Sequence, residues 1–344
     1  MTSTDDALTT ASGSLIPGSP LTLEDVPALT ALLNRIDVAE RLEQPADEQG
    51  LREMLTMPGT DLARDTRAVR ADDDASGAIL GAVIVDVHRA VDRDGRVRCQ
   101  LMGGVDPDRR REGIGTALLD WAEARARELV DERHPAGAAA VLRVSGGRDP
   151  RPGDDPAAPG GGIDVRPLLE RRGYHRARSW LTMLRTLPGE ALDLPVPTGV
   201  EVRAPHDEDA EATRLAHLAA FADHWGSAPV PPERWNSWWT SHTARRAQST
   251  IALDETGTVL AYVVASEDIP GELHVALVGT RPEARGRGLA RAVLARTIAA
   301  AAEAGYARAK LEVDAESLTG AARLYGALGF VQDSVVATFE KPLA

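Results

Sequence analysis

One pattern occurs twice in this chain, and it constrains the fold more than any other feature. P-x-x-R-x-x-G-x-[GA] spans residues 107–115 and, 175 residues later, residues 282–290. Each copy follows an apolar, strand-like segment and precedes a run of apolar residues with helical spacing. Repetition in the same context indicates two modules built from the same order of elements. The length of 344 residues also fits about two domains.

The loop in the second copy combines small residues with positive charge. Arg285, Gly288 and Ala290 place a guanidinium and two small residues where a strand turns into a helix. Small residues allow several backbone N–H groups to point at one ligand, and the helix N-terminus adds partial positive charge. Arg287 adds a further charge. We therefore expect a site for phosphate oxygens, although one such loop alone also fits a basic turn that binds nothing.

A second signature follows in the C-terminal half, where Leu324-Tyr325 and Gly329-Phe330 form L-Y-x-x-x-G-F. The loop pattern resembles motif A, [QR]-x-x-G-x-[GA], of the GNAT superfamily of acyl-CoA-dependent N-acyltransferases. L-Y-x-x-x-G-F resembles the signature that closes the same fold. The resemblance extends from about residue 20 to the end as two tandem modules. It implies an α/β (α+β) fold in which each module has one mixed, mostly antiparallel sheet with helices on both faces.

The resemblance also implies acetyl-CoA as the cofactor, with its pyrophosphate in the motif loop and its pantetheine arm in a splay between two strands. The splay would lie between the strand before the loop and the strand after its helix. The family commonly has an asparagine near Ser317, and its absence weakens one expected contact. The implied cofactor residues of the second module are Leu277, Val278, Gly279, Arg285, Gly286, Arg287, Gly288, Leu289, Ala290 and Ser317. Those of the first module are Arg110, Arg111, Gly113, Ile114 and Gly115.

Composition sets the expected boundaries. Residues 1–18 are rich in small and polar residues and are predicted to form a disordered tail. The first module is predicted over residues 19–187, a proline-rich linker over 188–197 and the second module over 198–344. Gly173-Tyr174 and Gly329-Phe330 lie 156 residues apart rather than 175, so the first module is longer by 19. A mobile insertion at residues 146–163 accounts for the difference.

Tyr325 is the candidate general acid, because the family often has a tyrosine here, close to the sulfur of coenzyme A. The alternative is a tyrosine that only packs in the core. The 156-residue offset places Leu169 at the matching position of the first module. Leucine cannot donate a proton, so we expect the first module to be catalytically weak or silent, with acyl-CoA binding left open.

Two residues are candidates for the base that deprotonates the amine. Side chains alternate along a strand, so Glu272 and His274 lie on one face. Histidine has a suitable pKa, whereas the glutamate needs a bridging water or a raised pKa. The alternatives are a solvated strand end for Glu272, cross-strand packing for His274, and deprotonation by water alone.

The acceptor pocket is expected near a tryptophan-rich stretch at residues 225–239. His224 and Trp225, beside Gly226, are the candidate acceptor-binding residues, because aromatic walls with polar tips suit an amine or a sugar-like molecule. Trp235 and Trp239 are four residues apart and are expected to pack a helix against the sheet.

The charge and cysteine content exclude several other classes of protein. A net charge of −13 argues against nucleic acid or an anionic membrane as a constant partner. The single cysteine, Cys99, excludes an internal disulfide and a cysteine-rich zinc site, and no metal is expected. No membrane span or signal pattern is evident, so we expect a cytoplasmic protein, monomeric or homodimeric.

The sequence therefore predicts an N-acyltransferase that moves an acetyl group from acetyl-CoA to a primary amine of a small molecule by direct attack. The second module would be the active one. One alternative is an acyl-CoA-binding pseudoenzyme or sensor. Another is an acetyltransferase that acts on protein N-termini or lysines, for which an enclosed, tryptophan-rich pocket is less suited than an open groove.

Overall fold

The computed structural model describes residues 7–9, 15–71, 77–149, 165–190, 192, 195–317 and 320–343. The helices are α1 Val26–Glu40, α2 Glu48–Leu55, α3 Leu62–Asp65, α4 Ile114–Arg133, α5 Arg166–Arg171, α6 Ala210–Phe221, α7 Pro232–Trp239, α8 Leu289–Glu303 and α9 Ala321–Ala327. The strands are β1 Ala7–Thr9, β2 Leu15–Pro17, β3 Thr66–Arg70, β4 Ile79–Val91, β5 Val97–Val105, β6 Ala140–Arg148, β7 His175–Thr186, β8 Val200–Arg203, β9 Thr250–Asp254, β10 Val259–Ile269, β11 Glu272–Thr280, β12 Arg308–Asp314 and β13 Val331–Leu343.

The chain divides into two units whose boundaries differ from those predicted. The first unit takes Met1–Ala177 together with Ala337–Ala344, and the second takes Arg178–Val336. Most of β7, predicted for the first module, therefore belongs to the second unit. The end of β13, predicted for the second module, belongs to the first. Both differences arise because strand pairing between residues distant in sequence decides membership.

Two predictions about irregular segments need correction. β1 and β2 pair with each other in antiparallel fashion, so these parts of the predicted disordered tail are ordered. Leu8 is buried in the core of the first unit, which supplies the stabilisation. β6 runs on to Arg148, so the predicted insertion at 146–163 begins with strand residues. Residues 1–6, 10–14 and 150–164 lie outside the described residues.

The first unit has the sheet order β3-β4-β5-β6-β13. The β3–β4 and β4–β5 pairs are antiparallel and β5–β6 is parallel. Alternate residues of β4 face opposite sides: Val83 and Val85 pack with α4, whereas Ala82 and Ile84 pack with α1 and α2. This is the predicted sheet with helices on both faces.

The second unit repeats the arrangement with the sheet order β7-β12-β11-β10-β9-β8. Only the β11–β12 pair is parallel; the recorded pairings of β7, β10 and β9 are antiparallel. α8 and α9 cover one face through Val293, Leu294 and Leu328, and α6 covers the other through Ala216. The predicted fold class is confirmed.

The central parallel strands separate in both units, as the family resemblance implies. β11 pairs with β12 only through His274 and Lys310, after which both strands continue without pairing to each other. β5 and β6 likewise pair only as far as Gln100 and Arg143. β11 also has a register shift against β10 that leaves Ala276 as an extra residue. The splay leaves a strip of backbone on β11 that β12 does not use.

No helix in the described ranges is long and apolar enough to cross a membrane.

Candidate active site

The motif loop of the second unit is shaped by two glycines. Gly286 and Gly288 have φ of 76° and 82°, a left-handed conformation that disfavours side chains. A Cβ on either residue would meet no atom within 4 Å, so the surface of the loop is open. α8 starts directly afterwards, and its first closing bond runs from Ala292 N–H to Gly288 C=O. The N–H groups before Ala292, including those of Leu289 and Ala290, therefore have no partner within the helix.

Arg285 is turned towards the end of α6. Its Nη1 and Nη2 donate to the two carboxylate oxygens of Asp223 at 2.8 and 3.1 Å, and Nη2 also donates to the Ala220 carbonyl at 3.0 Å. The hydrogen bond to Asp223 raises the pKa of Arg285. In this arrangement Arg285 fixes the loop to the helix, and the exposed Arg287 is the positive side chain of the loop that faces solvent.

The motif loop of the first unit repeats this anchor. Arg110 pairs with Glu40 at the end of α1 at 2.5 Å, and its Nε donates to the Val105 carbonyl at 3.2 Å. Gly113 has φ of 89° and precedes Ile114 and Gly115 in the first turn of α4. Arg111 stands in the place of Gly286 and has φ of 70°. Glu112 stands in the place of Arg287, so the charge there is reversed.

The wall of the splay rests on a buried tyrosine. A side chain at Gly279 would collide with the ring of Tyr262, which is fully buried. The Tyr262 hydroxyl lies 2.6 Å from His217 Nδ1. Burial lowers the pKa of His217 to about 4, so its ring is neutral at pH 7 and shares one hydrogen bond with the Tyr262 hydroxyl. Leu277 and Val278, the other predicted backbone contacts, are half-buried beside it.

Tyr325, the predicted acid, lies on α9 with its ring packed edge-on against Phe330 at 6.1 Å between centroids. Burial raises its pKa to about 12, so the phenol is protonated at neutral pH. A protonated hydroxyl can donate a hydrogen bond or a proton. The matching Leu169 of α5 is buried among apolar residues of the first unit.

The two predicted bases are both engaged by charged groups. Burial opposes protonation of His274, but hydrogen bonds to Asp268 at 3.1 Å and Glu312 at 2.7 Å raise its pKa to about 9. A ring that is already protonated cannot take a proton from an amine, so this arrangement disfavours His274 as the base. Glu272 is 4% exposed and forms an ion pair with Arg308.

The predicted acceptor residues lie together. Trp180 of β7 stacks on His224 at 6.2 Å and lies 6.4 Å from Trp225, measured between ring centroids. The Arg178 guanidinium lies 4.8 Å above the Trp225 ring and pairs with Glu316. All three rings are partly exposed, so the cluster can contact a ligand.

Trp235 and Trp239 are buried, as expected for packing residues of α7, and stack on each other at 6.1 Å. Ser317 follows β12, where its N–H donates to the Asp314 carbonyl at 3.1 Å.

Known proteins are similar to this chain over most of its length. The profile of the Acetyltransferase (GNAT) family matches residues 211–330, from α6 to the end of L-Y-x-x-x-G-F. A mycothiol acetyltransferase from Geodermatophilus obscurus is 30% identical over 329 residues, which are 90% of this chain and 92% of the relative. The chain belongs to the GNAT family of acetyltransferases. A mycothiol acetyltransferase from Kineococcus radiotolerans is 35% identical over 240 residues, 66% of this chain and 67% of the relative.

Solved GNAT structures share the fold. A GCN5-related N-acetyltransferase from Sphaerobacter thermophilus superposes with a TM-score of 0.71 and 26% identity, covering 95% of both chains. A tandem GNAT protein from the clavulanic acid biosynthesis pathway gives a TM-score of 0.64 at 18% identity, over 95% of this chain and 98% of that one. The tandem GNAT layout predicted from the repeated motif is confirmed.

Two residues beside the predicted acceptor residues His224 and Trp225 were missed from the sequence. Trp180 and Arg178 lie on β7, which the sequence assigned to the first module. β7 pairs with β12 so that Trp180 is opposite Asp314. No local signal in residues 175–186 indicates this partner.

Proposed function

We propose that the second unit transfers an acetyl group from acetyl-CoA to a primary amine of a small molecule by direct attack. The observation that carries this proposal is the presence, in one unit, of an open glycine loop at a helix N-terminus and of a buried, protonated tyrosine. The first unit has the loop but has Leu169 in place of the tyrosine, and we propose that it is catalytically silent.

The residues present fit the cofactor. The left-handed glycines leave space above the loop, and the first N–H groups of α8 point out of the helix towards it. Arg287 adds charge, and the backbone of Leu277, Val278 and Gly279 offers the strip that β12 leaves unpaired. Ser317 lies at the end of the opposite wall. Acetyl-CoA, when bound, supplies the activated acetyl group.

Tyr325 is proposed as the acid. Its Oη keeps its proton up to a pH of about 12 and can give it to the sulfur that leaves. Its surroundings are apolar, with Phe330 and Leu328 in the same core cluster. An apolar site strengthens a hydrogen bond to a developing thiolate.

His274 and Glu272 remain candidates for the base, with different difficulties. His274 would first have to lose the proton that Asp268 and Glu312 stabilise. Glu272 would have to leave its ion pair with Arg308. Deprotonation by water, the third possibility, needs neither change.

The acceptor is proposed to be a small amine that contacts His224, Trp225 and Trp180. The relatives' name makes a mycothiol-related amine the first compound to test. A cytoplasmic location and a monomeric or homodimeric state remain predictions.

The test is the release of the coenzyme A thiol from acetyl-CoA in the presence of a panel of primary amines, including the deacetylated form of mycothiol. Calorimetric titration of acetyl-CoA is run in parallel on the same protein. We expect binding, and thiol release that depends on one class of amine. Binding without any release would favour an acyl-CoA sensor, release with peptides alone would favour a protein acetyltransferase, and absence of binding would contradict the proposal.

A further inference from the structure

A row of charged side chains lies beside the point where β11 and β12 separate. Alternation along β12 places Leu311 and Val313 in the core under α8, and Lys310 and Glu312 on the opposite face. His274 of β11 lies on that same face, since its ring contacts Glu312. Glu312 is two residues beyond the last β11–β12 pair, so its carboxylate lies where the strands have already parted.

His274 orients Glu312, and Asp268 in turn orients His274. His274 Nε2 donates to Glu312 Oε2 at 2.7 Å, and His274 Nδ1 donates to Asp268 Oδ2 at 3.1 Å. Ser266 Oγ lies 3.4 Å from the same Nδ1. With a carboxylate on each nitrogen the ring cannot rotate without losing a charge-assisted hydrogen bond. The ring therefore fixes the direction of one Glu312 oxygen and leaves the other available.

The second oxygen of Glu312, Oε1, forms an ion pair with Lys310, whose Nζ lies 3.7 Å away, longer than a usual hydrogen bond. Burial opposes ionisation of Glu312, but the bond from His274 and the charge of Lys310 outweigh it and lower its pKa. Glu312 is therefore negatively charged at neutral pH, and Oε1 is the oxygen that His274 does not contact.

Other carboxylates of β11 and β12 are less accessible. The side chain of Glu312 is 27% exposed, whereas those of Glu272 and Asp314 are each 5% exposed. Glu272 is also closed off by Arg308, and Asp314 has Arg178 at 3.6 Å. Glu312 is therefore the carboxylate of these two strands that a ligand in the splay can reach.

We propose that Glu312 binds the amine of the acceptor and that His274 is the residue that positions Glu312. This inference rests on the proposed function and names the group that recognises its substrate. Oε1 of Glu312 accepts an N–H bond from the amine in competition with Lys310, which selects a compact cationic head over a neutral one. Asp268, Glu272, Lys310 and Arg308 are the other charged groups of the row, and Lys310 competes with the amine for Glu312.

The kinetic test compares Glu312→Gln with Glu201→Gln, a matched control at an exposed glutamate of β8. We expect Glu312→Gln to raise the KM of the best amine by roughly tenfold to 100-fold, as for loss of a charge-assisted hydrogen bond. The affinity for acetyl-CoA should be unchanged, and Glu201→Gln should change neither quantity. An unchanged amine KM in Glu312→Gln would overturn the inference.

His274→Gln separates positioning from proton transfer. Glutamine keeps an N–H donor near Glu312, so we expect a moderate rise in amine KM and a kcat whose pH profile keeps its shape. A collapse of kcat together with loss of the acidic limb of that profile would identify His274 as the base and contradict the positioning role.

A binding test needs no turnover. The ring signals of His274, followed by NMR in the protein without cofactor, should move when propylamine is added and stay when propanol is added. In Glu312→Gln neither compound should move them, and the pKa of His274 should fall. If wild type shows these shifts but turns over no amine, the proposed function fails while the amine site stands. If wild type turns over amines and the shifts are absent, the site assignment alone fails.

Discussion

The two motif loops share their backbone and their anchor, but they differ in charge. In each unit the long helix begins after a left-handed glycine, with φ of 89° at Gly113 and 82° at Gly288. In each the motif arginine is held by a carboxylate at the end of an earlier helix: Arg110 by Glu40, and Arg285 by Asp223. The residues between these shared features differ between the two loops.

The differences concentrate where a ligand would be. Glu112 replaces Arg287 in the loop, and its pairing with Arg109 lowers its pKa and keeps it ionised. Beyond the last pair of the splayed strands, β6 has Ser145 where β12 has Glu312. The acid position has Leu169 instead of Tyr325. The first unit thus lacks three of the polar groups on which the proposed chemistry depends. Four predictions follow from this contrast.

The largest expected effect is on kcat, from substitutions at Tyr325 and at the matching Leu169. Tyr325→Phe should lower kcat by about 100-fold to 1000-fold, the usual contribution of a general acid, because phenylalanine keeps the packing against Phe330 and removes the proton. Acetyl-CoA affinity measured by calorimetry should not change. Leu169→Tyr is the reciprocal variant and should add no activity, since the first unit lacks the other groups. A loss of kcat below threefold in Tyr325→Phe would remove the main chemical distinction between the units.

The next effect concerns stability and pH. The pKa of His274 is raised from 6.5 to about 9 in the folded protein. Its protonated ring therefore adds fully to the free energy of unfolding below about pH 6.5, and this addition is lost as the pH rises through 9. His274→Gln introduces the residue of the first unit, because Gln100 is the last paired residue of β5 just as His274 is the last of β11. The difference in free energy of unfolding between wild type and this variant should shrink by roughly 3 kcal/mol between pH 6 and pH 9.5. Urea unfolding at several pH values measures it. A difference independent of pH would mean that the ring is not charged in the folded protein.

Reversing the loop charge is expected to act on cofactor binding. Arg287→Glu makes the second loop resemble the first and should weaken acetyl-CoA binding by roughly tenfold or more at low salt, because like charges then face the phosphates. Glu112→Arg is the opposite change, and it should create or strengthen binding in the first unit. Calorimetry with both variants gives the number of sites and their affinities. Equal affinities in Arg287→Glu and wild type would indicate that backbone groups alone bind the phosphates.

The smallest expected effect is a change in the free energy of unfolding caused by backbone conformation in the two loops. Gly286 and Arg111 occupy the same left-handed position, with φ of 76° and 70°. Gly286→Ala should destabilise the protein by about 1 kcal/mol, since a Cβ is disfavoured there although no atom obstructs it. Arg111→Gly should be neutral or slightly stabilising, because relief of strain is offset by the greater freedom of glycine in the unfolded chain. The two variants are compared by urea unfolding, and a stabilising Gly286→Ala would refute the assignment of strain.

Sequence patterns predicted the parts of the fold that depend on local spacing. Each copy of the loop motif was predicted to follow a strand and to precede a helix, and in the first unit β5 ends at Val105 and α4 begins at Ile114. The splay that the resemblance implied between the flanking strands is present in both units. Apolar periodicity and glycine turns are local signals, so they can be recognised in the sequence without knowledge of tertiary contacts.

The features that the sequence did not predict depend on contacts between distant residues. Arg285 is paired with a carboxylate 62 positions away, and nothing in either segment indicates the other. His274 was predicted as a base from its ordinary pKa, but Asp268 and Glu312 change that value only once three strands are assembled. The same holds for Trp180, whose place depends on which strand β7 joins.

The assignment of the last residues to the first unit has a consequence for synthesis of the chain. Glu340, at the end of β13, pairs with the buried Arg143 of β6 at 2.5 Å. Ribosomes deliver the N-terminus first, and an N-terminal domain can normally fold before its successor is made. Here the first unit includes residues 337–343, which are made last. The guanidinium of Arg143 therefore cannot pair with the carboxylate of Glu340 until translation of the second unit is finished. A protein shortened by a few residues at its C-terminus would therefore show its damage in the half that was made earliest.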